Sequence, residues 1–345
     1  MILLGELTIK MPEHEPDVKA FEPYQLGDYT VTQPLTTNKS GFSKWGFCTK
    51  DCIEYFVKEF LTPVYPVESI KLDPDLRERK IKQCIEWYEE KKRVYNAIVA
   101  AQSGNLVVPV AFFKRNSHFY LVTQKVVDSA MDFALLSKTD MKHKMIIMKV
   151  LADSFSMLAD HHVVHADVKP DNLLIKQTNS NFYTMKVIDF DGSYLESEPP
   201  PPDDIQGDPV YYAPETFLYI AEEPVTLTSK VDVFAMGLIF HQLLVGELPH
   251  FEDEYDYFYE AVLNDSPIQL HESLTPRFRL LISRMLEKNV EKRFSMRAVL
   301  KFLDGCSDGF FNSESSKSTK PSIIETHDEK AAKPQTRWIV ADDFD

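Results

Sequence analysis

The sequence VVHADVKPDNLLI, residues 163–175, places a group of polar side chains between two short apolar runs. A packed strand or helix offers such side chains no partners, so packing alone does not account for them. The stretch holds a carboxylate, Asp167, a lysine, Lys169, and an amide, Asn172. Further along, KVIDFDG, residues 186–192, puts Asp189 directly after an apolar run that reads as a strand. We therefore expect the oxygen-bearing side chains of Asp167, Asn172 and Asp189 to meet in one cleft.

Side chains of these types suit the transfer of a phosphoryl group from a nucleotide. That reaction needs oxygen ligands for Mg²⁺, a carboxylate that orients the accepting hydroxyl, and a cation on the phosphates. The two stretches supply the oxygen ligands and the carboxylate. At this point the chain resembles the eukaryotic-type Ser/Thr protein kinase family, whose H-R-D-x-x-x-x-N catalytic loop and D-F-G element are similar to HADVKPDN and DFDG here.

Four further segments resemble motifs of that family, in the family's order. YFVKEF, residues 55–60, resembles the strand that carries the phosphate-binding lysine, here Lys58. GDPVYYAPE, residues 207–215, resembles the end of the activation segment. VDVFAMG, residues 231–237, resembles the start of the large buried helix, which makes Asp232 an anchor of the catalytic loop. EKNVEKRFS, residues 287–295, resembles a late element whose Arg293 is expected to pair with Glu215.

The resemblance covers about residues 27–305 and implies an α+β, two-lobed protein kinase fold. An N-lobe over residues 27–126 would hold a sheet and one long helix, and residues 127–305 would form a mainly helical C-lobe. The cofactors implied are ATP and Mg²⁺, with Asp167 as base beside Lys169, Lys58 on the phosphates, and Asn172 and Asp189 as metal ligands. Further nucleotide contacts are expected at Gly41, Ser43, Thr123 (the gatekeeper), Gln124 and Val126 (the hinge), and Leu174.

The long helix predicted after residues 73–74 should supply an acidic partner for Lys58. Glu86, Glu89 and Glu90 all lie on it. We expect Glu90 to be the partner because Val94 follows it by one helical turn, as expected for a glutamate that enters the cleft. The alternative for all three glutamates is a solvated helix face that pairs with the neighbouring basic residues.

The nucleotide-binding part of the pattern is poorly kept. LTTNKSGFSKWG, residues 35–46, retains only Gly41 and Gly46 of the family's glycine-rich loop. Fewer glycines leave fewer places where backbone N–H groups approach phosphate closely. Phe56 stands where the family usually has alanine, on the same strand face as Lys58. These departures predict a reshaped pocket for the adenine.

The regulatory part of the pattern also departs from the family. Ala166 replaces the arginine that receives the phosphate of an activation-loop residue, so we predict that phosphorylation of this segment does not control activity. Changing Ser193 and Ser197 to alanine should accordingly leave activity unchanged. Asp191 replaces the glycine of D-F-G, which would displace or stiffen the hinge at that point.

The sequence thus predicts an ATP-dependent serine/threonine protein kinase, since Lys169 is similar to the Ser/Thr branch of the family. One alternative is a pseudokinase that acts as a nucleotide-binding or scaffolding module, which Phe56 and the weak glycine loop favour. A second is a small-molecule phosphotransferase of related fold. The A-P-E segment, Asp232 and Arg293 argue against that second alternative because they resemble peptide-directed kinases.

The composition limits the partners. A formal net charge of −15 argues against nucleic acid or anionic lipid and favours basic protein substrates. No apolar run reaches about 18 residues, so no membrane span is expected. Four cysteines without a C-x-x-C pair suit a reducing compartment, and the N-terminus lacks an export signal, so the expected location is cytoplasmic.

The two ends of the chain differ from the rest. Residues 1–26 are predicted to be an irregular arm because prolines interrupt them. Residues 306–336 are rich in Ser, Lys and Glu and are predicted to be a flexible linker. The final RWIVADDFD, residues 337–345, could dock on the kinase itself or on a partner, and the alternative is a disordered acidic tail.

Overall fold

A computed structural model of the protein describes residues 21–38, 41, 43–68, 71–126, 133–177, 183–196 and 198–310, with the backbone alone for 307–310. Several sequence predictions therefore lie outside the described residues. They are the arm up to residue 20, Ser197, the linker beyond residue 310, and the peptide 337–345.

The N-terminal part is an antiparallel sheet of six strands. They are β1 (Tyr24–Leu26), β2 (Tyr29–Val31), β3 (Ser43–Lys50), β4 (Ile53–Phe60), β5 (Pro109–Arg115) and β6 (His118–Gln124), in the spatial order β1-β2-β3-β4-β6-β5. Strands β3 and β4 form a hairpin, and its turn uses Asp51 and Cys52 at φ of 51° and 63°. Strand β1 lies within the segment expected to be an irregular arm, because a turn at Gly27 pairs it with β2.

One long helix, α1 (Pro74–Ala100), packs against this sheet. It begins where the predicted start signal lies: the carboxylate of Asp73 accepts hydrogen bonds from the backbone N–H groups of Asp75 and Leu76, and Pro74 opens the helix. On its buried face, the ring of Tyr88 stacks on Phe112 with centroids 4.8 Å apart. This packing fixes which side of α1 faces the cleft below the sheet.

The C-terminal part is mainly helical. Its helices are α2 (Phe133–Leu136), α3 (Met141–Asp160), α4 (Pro214–Ile220), α5 (Lys230–Val245), α6 (Phe258–Leu263), α7 (Pro276–Met285) and α8 (Met296–Phe310). Helix α5 is apolar on nearly every side and is buried at its centre. Helix α8 runs past the expected domain boundary at residue 305, because Cys306 continues the apolar spacing of Val299 and Leu303 and is buried with them.

Four short strands surround the motif stretch. Strand β7 (Val163–Val164) pairs with β10 (Tyr194–Leu195), and β8 (Leu173–Gln177) pairs with β9 (Tyr183–Val187), both antiparallel. The β9 strand end also contacts the N-terminal part, where the N–H of Val107 donates to the carbonyl of Val187 at 2.9 Å. The predicted α+β fold is confirmed, with a sheet and one long helix followed by a helical part. In the described part of the chain, no helix is both long enough and apolar enough to cross a bilayer.

Candidate active site

The loop after β7 is held by a buried carboxylate from α5. The backbone N–H groups of His165 and Ala166 donate to the two oxygens of Asp232 at 2.8 and 3.0 Å. Ala166 has a φ of 70°, a conformation that costs energy for a residue with a Cβ, and these hydrogen bonds help to hold it. Burial raises the pKa of Asp232 to about 7, although the two N–H groups oppose that shift. The predicted anchoring role of Asp232 is confirmed.

His165 connects this loop to the segment that carries Asp189. Its ring is fully buried, with Nδ1 accepting from the N–H of Asp167 at 3.3 Å and Nε2 lying 3.1 Å from the carbonyl of Ile188. A carbonyl oxygen can only accept, so Nε2 must donate and carries the hydrogen; because Nδ1 is an acceptor, the imidazole is neutral. Burial also lowers the pKa of His165. His165 is therefore a scaffold for the site, and its ring packs 4.9 Å from that of Phe190.

Asp167, Lys169 and Asn172 form one hydrogen-bonded cluster. Oδ2 of Asp167 accepts from Nζ of Lys169 at 2.8 Å and from Nδ2 of Asn172 at 2.9 Å. Asn172 also donates to the main-chain oxygen of Asp167 at 2.8 Å. The other carboxylate oxygen, Oδ1, is buried and meets no hydrogen-bond donor among the described residues. A buried acceptor without a donor is costly, so this oxygen has an unmet capacity to accept a hydrogen bond.

Lys58, on β4, contacts two carboxylates from the segment after β9. Its Nζ lies 2.9 Å from Oδ1 of Asp189 and 2.8 Å from Oδ2 of Asp191. Burial alone would lower the pKa of Lys58, but the carboxylates of Asp191 and Asp189 raise it above its ordinary value. Burial would raise the pKa of Asp189, but the ammonium of Lys58 outweighs this effect and holds the pKa below its usual range. Lys58 and Asp189 are therefore both charged.

The expected pairing of Lys58 with Glu90 needs correction, since the partners of Lys58 are Asp189 and Asp191. The cause is the rotation of α1: buried Tyr88 and Tyr95 set the face that looks toward the cleft, and Lys91 lies between them at spacings of three and four residues. Nζ of Lys91 donates to the main-chain oxygen of Asp191 at 2.5 Å. Glu90 is one residue away, so its side chain leaves the helix in a direction about 100° from that of Lys91.

The other two candidate glutamates lie on the solvated face of α1. Glu86 pairs with Lys82 at 3.8 Å and Glu89 pairs with Lys92 at 3.5 Å, within the helix. Sequence reasoning missed Lys91 as a residue of the cleft. The spacing of Lys91 could have identified it, because Lys91 shares one face of α1 with Tyr88 and Tyr95.

The residues predicted to contact the nucleotide lie in or near strands β3, β6 and β8. Gly41 is exposed in the bend before β3, and Ser43 is buried at the start of that strand. Thr123 and Gln124 end β6, Val126 lies two residues beyond it, and Leu174 is half-buried in β8. A Cβ built on Gly41 would meet nothing within 4 Å, so the fold itself does not require glycine there.

Three aromatic rings lie on the sheet face that carries Lys58, and only Phe56 among them was predicted from the sequence. Trp45 lies opposite Lys58 and Phe47 lies opposite Phe56 in the β3–β4 register, so all four side chains share one face. The Trp45 ring stacks on Phe56 with centroids 5.7 Å apart, and Phe47 meets Phe56 edge-on at 6.2 Å. A flat, aromatic surface of this kind is suited to a planar ring system.

The residues expected to hold Mg²⁺ lie on adjoining segments. The N–H of Ile188 donates to the main-chain oxygen of Asn172 at 3.0 Å, which places Asp189 beside Asn172. Among the described residues, no three His, Cys, Asp or Glu side chains form a metal-binding cluster. Mg²⁺ usually takes one or two protein carboxylates and completes its shell with water and phosphate oxygens. Asp189 and Asn172 offer a carboxylate and an amide oxygen on adjoining segments, a donor set that fits a cation with such a shell.

A further ion pair, between Arg293 and Glu215, fixes the first turn of α4. Both terminal nitrogens of Arg293 contact the carboxylate of Glu215, at 2.5 and 2.9 Å. Arg293 also donates to the main-chain oxygens of Lys230 and Glu287, and it is 1% exposed. The predicted pairing of Arg293 with Glu215 is confirmed.

Known proteins resemble this chain over much of its length. A family model described as the protein kinase domain matches residues 75–302, about two thirds of the chain. That match begins on α1, so β4 and its Lys58 lie before it.

Individual relatives are distant. Serine/threonine-protein kinase GRIK1 of Arabidopsis thaliana is 31% identical over 143 residues, which are 40% of this chain and 33% of the relative. An Aurora kinase of Eremothecium gossypii is 26% identical over 252 residues, or 73% and 58% of the two chains. Protein kinase kin1 of Schizosaccharomyces pombe is 27% identical over 283 residues, or 80% and 30%. This chain spans less than two thirds of the length of each relative.

Proposed function

The chain belongs to the protein kinase domain family, and from this premise we propose that it is an ATP-dependent serine/threonine protein kinase. The observation that carries the proposal is the meeting of two clusters in one cleft: Lys58 with Asp189, and Asp167 with Lys169 and Asn172. A cation for phosphate, oxygen ligands for a metal and a carboxylate for a hydroxyl are the parts that phosphoryl transfer needs. The test is whether the purified protein moves the γ-phosphoryl of ATP onto serine or threonine.

In this proposal Asp167 orients the hydroxyl of the substrate. Lys169 and Asn172 fix its Oδ2, so the carboxylate cannot rotate freely, and the unpaired Oδ1 accepts the hydroxyl proton. Lys169 also places a positive charge beside the point of transfer, which stabilises the charge on the phosphoryl oxygens. Lys169 is thus both an orienting residue and an electrostatic one.

Lys58 holds the phosphates, and Asn172 and Asp189 would hold magnesium. The chemistry that Mg²⁺ supplies when bound is neutralisation of negative charge on phosphate oxygens. Asp189 suits this task because the ammonium of Lys58 keeps it ionised. Because the catalytic loop and the Asp189 segment are hydrogen-bonded to each other, the two metal ligands keep a fixed relative position.

We further propose that the activation segment is held without phosphorylation. Glu196 accepts from the N–H of Ser229 at 2.7 Å, and Glu198 pairs with Arg93 of α1 at 2.6 Å. The hydroxyl of Ser193 is buried and donates to the main-chain oxygen of His165 at 3.1 Å, so it is hidden from a modifying enzyme. Carboxylates of the chain itself thus occupy positions along this segment where a phosphate would otherwise provide the negative charge.

Phosphatase treatment of the purified protein is expected to change the transfer rate by no more than about twofold, because no phosphate is needed to order the segment. The measurement compares initial rates before and after treatment, with the loss of any phosphate checked by intact mass. Ser197→Ala tests the serine that lies outside the described residues. A fall of tenfold or more, reversed by rephosphorylation, would show that a phosphate receptor exists.

The preferred substrate is proposed to be a basic polypeptide. A groove of about 320 Å³ lies between the activation segment and α6, with Val210, Leu248 and Phe258 among its apolar walls. Glu247 and Asp256 provide its acidic groups. The adjoining sequence EDEYD, residues 252–256, adds further negative charge. A lysine or arginine next to an apolar side chain complements this surface in charge and in polarity.

One observation favours a second candidate, a pseudokinase that acts as a nucleotide-binding or scaffolding module. The stacked rings of Trp45 and Phe56 occupy part of the space under the sheet, where a base would lie. A protein that binds ATP and transfers no phosphoryl group would be such a module. The charged residues in the cleft favour the enzyme, because a module that only binds has no need of Asp167 with a buried Oδ1 that lacks a hydrogen-bond donor.

A further inference from the structure

We propose that Asp191, rather than a glutamate of α1, is the carboxylate that positions Lys58, and that Lys91 of α1 holds the Asp191 segment in place. Asp191 and Lys91 are then positioning residues for the phosphate-binding lysine. This inference rests on the proposed function, since a positioned Lys58 matters for a protein that handles phosphate.

The contacts of Lys58 give the first argument. Its Nζ meets Asp189 at 2.9 Å and Asp191 at 2.8 Å. Asp189 is the proposed metal ligand, and a carboxylate that coordinates Mg²⁺ directs its oxygens to the metal. When Asp189 binds the metal, Asp191 remains as the carboxylate that contacts the ammonium of Lys58. Only one of the two carboxylate oxygens of Asp191 takes part in that contact. A planar carboxylate at this distance fixes the lysine head group in direction as well as position.

The charge balance in the cleft gives the second argument. Two basic side chains, Lys58 and Lys91, and two acidic ones, Asp189 and Asp191, come together in a partly buried space. A glutamate at position 91 would put three carboxylates around one lysine, and like charges in a buried site repel strongly. A basic residue at position 91 of α1 therefore compensates an acidic residue at position 191.

The main-chain contact of Lys91 gives the third argument. Its Nζ donates to the carbonyl of Asp191 at 2.5 Å, so it holds the backbone and leaves the Asp191 side chain free for Lys58. The segment is tightly placed, because a Cβ added at Gly192 would lie 3.2 Å from Gln206. Arg93, half a turn further along α1, also binds the activation segment through an ion pair with Glu198. The position of α1 thus sets the position of Asp191, and through it that of Lys58.

A double-mutant cycle on thermal stability tests the Lys58–Asp191 partnership without any nucleotide. Tm is measured for Lys58→Met, Asp191→Asn and the double variant, and the same set is made with Glu90→Gln in place of Asp191→Asn. We expect the Lys58 and Asp191 shifts to be non-additive, with the double variant no less stable than the worse single one. We expect the Lys58 and Glu90 shifts to add. Additive Lys58 and Asp191 shifts, or coupling to Glu90 instead, would overturn the assignment.

Kinetics test the role of Lys91. Lys91→Met is expected to lower kcat by about tenfold or more, with the KM for the peptide unchanged, because the Asp191 segment loses its cationic support. Lys92→Met is the matched control: Lys92 is the next residue along α1 and pairs with Glu89 within the helix. Lys91→Arg should retain most of the rate, since it keeps the charge and a donor.

Two results would overturn the role of Lys91. If Lys91→Met and Lys92→Met had the same kcat, Lys91 would have no role in the site. If Lys91→Arg lowered kcat as much as Lys91→Met does, the role of Lys91 would be packing and not its charge.

Hydrogen exchange over residues 188–192 adds a readout that needs no activity. Lys91→Met should speed exchange there, and Lys92→Met should not. If the wild-type protein transferred no phosphoryl group, the proposed function would be wrong. The stability cycle and the exchange rates need no activity, so they would still test this inference. Unchanged exchange in Lys91→Met would contradict it in either case.

Discussion

Asp189→Asn is expected to reduce phosphoryl transfer by about a thousandfold or more, equivalent to about 4 kcal/mol of transition-state stabilisation. The change removes the charge of a proposed metal ligand and keeps its shape. Asp189 also faces Lys58 at 2.9 Å, but Asp191 remains as the second partner of that lysine. The side chain of Asp189 is 36% exposed, so its replacement leaves the core intact.

The measurement is the initial rate at several Mg²⁺ concentrations, with circular dichroism to verify the fold. Raising the Mg²⁺ concentration should recover part of the loss, because the weakened site still keeps one ligand in Asn172. Asp153→Asn is the matched control, as Asp153 is exposed on α3, outside the cleft. A variant with the wild-type rate would show that Asp189 holds no metal.

Arg293→Met is expected to lower the free energy of unfolding by about 3–5 kcal/mol, the largest stability effect expected in this protein. The guanidinium is buried, and it is bound to Glu215 and to two main-chain oxygens. Methionine fills a similar volume but leaves the carboxylate of Glu215 buried without a counter-charge. That uncompensated charge causes most of the loss.

Urea unfolding of the two proteins measures the difference. Arg284→Met is the control, since Arg284 is on the surface of α7 and lies 4.0 Å from Glu287, so its loss should cost less than about 0.5 kcal/mol. Adding Glu215→Gln to Arg293→Met should recover part of the stability, because the buried charge is removed. A loss below about 1 kcal/mol in the single variant would contradict the structural role of this pair.

Much of the site was predictable because its residues lie in short local motifs. Asp167, Lys169 and Asn172 are within five positions of each other, so the loop that brings them together needs little long-range information. The pairing of Glu215 with Arg293 spans 78 residues. It was still predictable, because both residues belong to motifs in an ordered series.

The partner of Lys58 was not predictable in the same way. A step of one residue on a helix turns the side chain by about 100°, so the choice between Glu90 and Lys91 depends on how α1 packs. That packing is set by the rings of Tyr88 and Phe112, which meet only in the folded protein. The replacement of a glycine by Asp191 was visible in the sequence, but its consequence appears only once the contact of Lys91 with Asp191 is known.

The cleft-facing aromatic group illustrates a similar limit. Phe56 was recognised from its spacing to Lys58 along one strand. Trp45 and Phe47 join it only through the register of β3 with β4, which follows from the two-residue turn between them. Local spacing identifies the residues of one strand, and strand pairing decides their neighbours.

Transfer of label from γ-labelled ATP to a peptide tests the central claim most directly. The purified protein is incubated with Mg²⁺ and two matched peptides that contain serine and threonine, one flanked by lysine and arginine and the other by glutamate, and Asp167→Asn is run in parallel. We expect phosphoserine or phosphothreonine after acid hydrolysis, more of it in the basic peptide, and none above background with Asp167→Asn. Equal labelling by the wild type and by Asp167→Asn, or no labelling of either peptide by the wild type, would contradict it.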